Sequence, residues 1–158
     1  MNIRASVAAA VLAIVLTGCA GGPRTFPNSL PKNLNVTTNV DGGSIKAEVA
    51  FDIHRVNARC ITDYEGRINL ENGSTDVGLP VDEPLYLEFI FVTGGGFTSS
   101  VRATRHGTLF TARSGYYYRA QVSYNKGIYA VEIRETRRGV AGGRVVERVP
   151  LSTCKARA

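Results

Sequence analysis

Across residues 44–54 the chain alternates. Ile45, Ala47, Val49, Phe51 and Ile53 occupy one set of positions, and Ser44, Lys46, Glu48, Ala50, Asp52 and His54 the other. Residues two apart on a strand share a face, so this pattern predicts a strand with one side on a core and the other toward water. An amphipathic helix would repeat its apolar positions every three to four residues, and no window of the chain shows such a stripe.

The remaining apolar runs read the same way. Residues 85–92, LYLEFIFV, are apolar at nearly every position and predict a central strand covered on both faces. Asp41-Gly42-Gly43 is a turn signal, which predicts a hairpin between an earlier strand at 34–40 and the alternating one. Runs at 116–124 and 128–133 flank Asn125-Lys126-Gly127, where Gly127 can take positive φ, and predict a second hairpin. Shorter candidates lie at 67–70, 100–105, 109–112 and 145–149. Many short strands separated by turn signals predict an all-β fold, a single antiparallel β-sandwich with a small β-barrel as the alternative.

The N-terminus carries a different signal. One positive charge at Arg4 precedes an uncharged stretch over 5–16, and small residues lead to Cys19. The stretch is shorter than the ~20 residues a membrane-spanning helix needs and has the layout of an export signal. Leu16-Thr17-Gly18-Cys19 resembles the lipobox of bacterial lipoproteins. The resemblance implies diacylglyceryl transfer to the Cys19 sulfur, cleavage after Gly18 and acylation of the new amino terminus. In that family an Asp after the cysteine favours inner-membrane retention; Ala20 stands here, so the expected place is the outer membrane, facing the periplasm.

On this reading residues 1–18 are a signal peptide. Residues 19–33 are the lipidated cysteine and a tether made extended by Pro23, Pro27 and Pro31, and residues 34–158 form the sandwich domain. With Cys19 assigned to lipid, Cys60 and Cys154 remain. They are expected to pair in an oxidising compartment, the alternative being two buried free thiols. The formal charge of +6 suits lipid phosphates or acidic cell-wall polymers, and an exported chain is not expected to meet nucleic acid.

Catalytic signals are thin. The chain has two histidines. His54 shares a strand face with Asp52, but their bases lie ~7 Å apart, and a solvated polar face is the expected outcome. His106 precedes Gly107 at an expected turn. No His/Cys cluster has zinc-ligand spacing, no G-x-S-x-G is present, and Gly94-Gly95-Gly96 lacks the Lys and Ser/Thr of a phosphate loop. No cofactor, metal or catalytic residue is expected. That glycine run reads as a hairpin tip displaying Phe97.

Two features suit recognition. In the 116–133 hairpin, Tyr116, Tyr118 and Tyr124 share one face, and Tyr117 and Arg119 lean to the other; one of these faces is core. Around the glycine-containing turn at 139–143 stand Arg134, Arg137, Arg138, Arg144 and Arg148, able to clamp phosphate or carboxylate groups or simply to keep a loop solvated. Ser114-Gly115-Tyr116-Tyr117-Tyr118, with Lys126-Gly127 after it, is similar to the S-G-x-x-Y motif and basic turn of periplasmic lysozyme inhibitors. That resemblance implies Ser114 and Tyr118 as binding residues and an inhibitor of a cell-wall hydrolase as one function. The residues themselves predict a non-enzymatic envelope module that binds a protein or cell-wall polymer through Tyr117, Arg119, Arg137 and Arg138. A hydrolase built on Asp52 and His54 is the rival.

Overall fold

The computed structural model describes residues 22–42, 47–94 and 100–156. Among these residues nine strands form two sheets: β1 Leu34–Asp41, β2 Ala47–Val56, β3 Thr62–Leu70, β4 Gly73–Val77, β5 Pro84–Thr93, β6 Arg102–Thr111, β7 Tyr116–Asn125, β8 Ile128–Arg137 and β9 Arg144–Val146. One sheet has the order β4-β1-β7-β8-β9 and the other β3-β2-β5-β6. The sheets pack face to face as a β-sandwich, and neither closes into a barrel.

The alternation places the core. Val49, Phe51 and Ile53 of β2 and Leu85, Leu87, Phe89 and Phe91 of β5 face inward. They meet Leu34 and Val36 of β1, the β7 residues Tyr118, Ala120, Val122 and Tyr124, and Ile133 of β8. The Phe51 and Phe89 rings stack at 4.5 Å within one sheet, while Phe110 meets Tyr118 edge-on at 4.8 Å across the two. β5 is central and also buries Ile90 on its outward side, as its near-continuous apolar run predicts. In the tight β7–β8 turn, Lys126 and Gly127 both have positive φ, which matches the twist of the strands they join.

Four features differ from the sequence reading. β1 and β2 are not a hairpin: β1 pairs antiparallel with β4 and parallel with β7, and β2 lies in the other sheet. Gly43 of the turn signal, with residues 44–46, lies outside the described residues. His106 is not at a turn, because β6 runs unbroken through it. Residues 24–33 do not hang free as a tether. Arg67 donates its N–H to Arg24 O at 2.8 Å, Phe26 donates its own to Arg67 O at 2.9 Å, and the Phe26 ring joins the core. The cause is Gly66, whose missing side chain lets the Phe26 backbone approach where a Cβ would lie 2.6 Å away. Asn33, expected at the end of that tether, is buried and pairs both ends of its carboxamide with the Leu79 backbone, each bond 2.8 Å.

Cys60 and Cys154 form a disulfide with Cα atoms 5.9 Å apart. It fastens the C-terminal segment to the β2–β3 turn. On the way, Val149 accepts a hydrogen bond from Leu109 N–H at 2.7 Å, so the segment lies along β6, the edge of its sheet.

Candidate functional site

The two recognition features of the sequence meet on the outward side of the five-stranded sheet. Tyr118, Ala120, Val122 and Tyr124 are committed to the core, so Tyr117, Arg119, Gln121 and Ser123 must face away from it. Register then builds a row across four strands: Asp76 opposite Asn35, Asn35 opposite Arg119, and Arg119 opposite Arg134. Tyr117 sits beside the row, opposite Thr136.

Where β8 ends, residues 138–143 fold back over this face. Tyr117, Arg119, Arg134, Arg137, Arg138 and the loop enclose a hollow of ≈480 Å³. A second hollow of ≈580 Å³ continues over Asn35, Thr37, Asp76 and Gln121, sharing Tyr117, Arg119 and Arg134. Gly139 and Gly142, both at positive φ, allow the loop its path. The Arg138 N–H donates to Gly115 O at 2.9 Å, tying the loop to the turn before β7, where Ser114 is exposed.

The arginines divide by partner. Buried Glu135 receives Arg113 at 2.6 Å and also Arg144, and this double grip holds the base of the loop. Arg113 also stacks over the Tyr116 ring, 4.0 Å from its centroid. Arg148 donates to Gly107 O at 3.0 Å, and Arg134 pairs with Glu132 at 2.6 Å. Among the described residues no ion pair engages Arg119, Arg137 or Arg138, and all three are exposed. Burial raises the Tyr117 hydroxyl pKa, the Asp76 charge adds to this, and Arg119 works against it, so the phenol stays protonated and able to donate.

Tyr118 does not belong to this surface. It is 1% exposed, and its hydroxyl accepts the Arg113 N–H at 2.9 Å. The tyrosine implied by the inhibitor motif is therefore a core residue, placed there by the alternation it shares with Ala120 and Val122. Cys19 and Phe97 lie outside the described residues.

Asp52 and His54 do share a face, the outward one of the four-stranded sheet, yet they are not solvated as the sequence suggests. Asp52 is 5% exposed and held by Arg67, and His54 lies between the Tyr64 and Tyr86 rings at 5.3 and 6.0 Å. Glu88, directly across from Asp52 on β5, joins them. Sequence reasoning missed Glu88 and Arg67 because both come from other strands. The two-residue offset in 44–54 says nothing about which strand lies alongside.

The molecule is thus a disulfide-fastened all-β sandwich with a tyrosine-arginine hollow on one sheet and a shielded polar cluster on the other. Comparison with known proteins finds no matching family model, no matching curated protein and no matching solved structure.

Proposed function

We propose that this chain is an envelope lipoprotein, held to the outer membrane by lipid on Cys19 and acting as a non-enzymatic binding module for an acidic protein or cell-wall polymer. The observation that carries the binding role is the set of three exposed arginines, Arg119, Arg137 and Arg138, that line one hollow with Tyr117 and have no ion-pair partner among the described residues. Guanidinium groups left in this state are suited to bidentate contact with carboxylate or phosphate, and a protonated tyrosine beside them adds apolar area and a donor. The lipid anchor rests on the Leu16-Thr17-Gly18-Cys19 motif behind its uncharged stretch. A cell-wall hydrolase is one protein partner of this kind; contact with it would run through Ser114 and Tyr117 rather than the buried Tyr118.

Crosslinking in living cells tests the binding role. The wild type should capture a partner, and a folded Tyr117→Ala, Arg119→Ala double variant should weaken capture by roughly thirtyfold, corresponding to ~2 kcal/mol for an anchor pair. Capture that survives the double variant but fails in His54→Ala would place binding on the other sheet and defeat the proposal. In the same cells Cys19→Ser should lose a fatty-acid label that the native chain takes up.

A further inference from the structure

The polar cluster on the four-stranded sheet is separate from the tyrosine-arginine hollow. Asp52 and Glu88 lie directly opposite on β2 and β5, and His54 follows two residues along β2 on the same face. One ligand-capable atom from each lies within 4.8 Å of the other two. The Nε2 atom of His54 is buried and has no hydrogen-bond partner among the described residues. A buried imidazole nitrogen is ordinarily satisfied, so its vacancy needs an explanation.

The geometry points to a binding site for one transition-metal dication of the zinc class, ligated by Asp52, His54 and Glu88. An ion at the centre of atoms no more than 4.8 Å apart would sit within about 2.8 Å of each, and inward shifts of under about 1 Å reach zinc bond lengths of about 2.0–2.2 Å. Such a donor set of one imidazole and two carboxylates suits zinc and its neighbours, whereas magnesium and calcium prefer oxygen alone. Arg67 on Asp52 and Arg105 on Glu88 do not fill the carboxylates, because each oxygen keeps a second lone pair. Their role would be that of outer partners, fixing the carboxylates' orientation as hydrogen-bonded neighbours do around metal ligands. Their positive charges also lower the site's affinity, which favours an ion able to bond imidazole over one held by charge alone. Tyr64 and Tyr86 flank the imidazole and limit access of water.

Equilibrium dialysis of the full-length protein in detergent against Zn2+, with the visible spectrum of the Co2+ form, tests the site. The wild type should bind one ion per chain, and its Co2+ form should show the intense bands of low coordination number. His54→Gln and Glu88→Gln should each weaken binding at least about tenfold, and His106→Gln should bind like the wild type. A strand-type circular dichroism spectrum identifies folded variants; if one ligand variant fails to fold, the other decides the question. Failure of the wild type to bind an ion stoichiometrically overturns the proposal, as does a folded ligand variant that binds like the wild type, or an equal loss in His106→Gln.

Discussion

Arg67 on β3 lays its guanidinium against both carboxylate oxygens of Asp52 on β2, Nε at 2.7 Å from Oδ1 and Nη2 at 2.8 Å from Oδ2. The Asp52 side chain is 7% exposed and the Arg67 side chain 28%, so the acid depends on the base for its charge to be tolerated. Removing the base strands a buried carboxylate, which costs several kcal/mol, far more than the loss of a surface pair. Arg67→Ala should therefore lower stability to urea by about 3 kcal/mol. Arg67→Lys should recover only part of that, since an ammonium cannot make the two-point contact. A double variant with Asp52→Asn should cost less than the sum of its singles, and strict additivity would show the pair to be energetically idle.

Two groups set the acid side of the stability profile. Burial alone would raise the Glu135 carboxyl pKa, but hydrogen bonds from Arg113 and Arg144 outweigh it and hold the value below the ordinary 4.5. A carboxylate depressed in the folded state contributes stability that is complete above its unfolded value and lost as pH falls through the folded one. His106 lies below its ordinary 6.5 because burial, aided by the Arg148 charge, disfavours the imidazolium. Since the unfolded chain takes up that proton first, stability falls as pH drops below 6.5. Denaturation midpoints should decline in two stages on acidification. His106→Gln should flatten the upper stage, and Glu135→Gln the lower.

The Cys60–Cys154 bond closes a separation of 94 residues. In the chain-entropy picture a loop of this size stabilises by about 4–5 kcal/mol. A Cys60→Ser, Cys154→Ser variant should lose about 4 kcal/mol. Its amide exchange should quicken first at Leu109 and Val149, whose N–H groups are bonded to Val149 O and Thr108 Oγ1. Unchanged protection there would mean the C-terminal segment holds to β6 without its fastening.

The fold was legible wherever one strand carries its own signal. Alternation in β2, the unbroken apolar run of β5 and the Lys126-Gly127 turn each announce local geometry, and the cysteine pairing follows once a compartment is assumed. Pairing between distant strands left no such mark. Nothing near Leu34 announces that β1 will run parallel to β7, and a turn signal at 41–43 reads alike whether the chain returns to its own sheet or crosses to the opposite one. The same limit divided the sites. Alternation showed that Tyr117 and Arg119 share a face opposite to Tyr118, but which face is core came only from the packing of β7, and Glu88 beside His54 became visible only through the β2–β5 register. Proline content suggested freedom for 24–33, but Gly66 opens a groove that the backbone occupies instead.

If the proposed lipid anchor holds the chain, that docked segment would govern how the domain stands on a membrane. Arg24 is bound to the carbonyls of Tyr64 and Glu65 on β3, and Asn28 to that of Asp76 on β4, so the chain enters the sandwich at this flank. With lipid on Cys19, only the stretch from Cys19 to Arg24 separates bilayer from protein, and at about 3.3–3.6 Å per residue its reach stays under about 20 Å. A ball on so short a leash cannot tumble freely. Under that anchor the β3–β4 flank would be kept near the headgroups, while β7 and β8 lie farther along the sheet toward β9, the edge remote from β4. Such an anchor would give a compact domain a proximal flank at β3 and β4 and a distal one at β9, with the arginines of the hollow on the outward face between them.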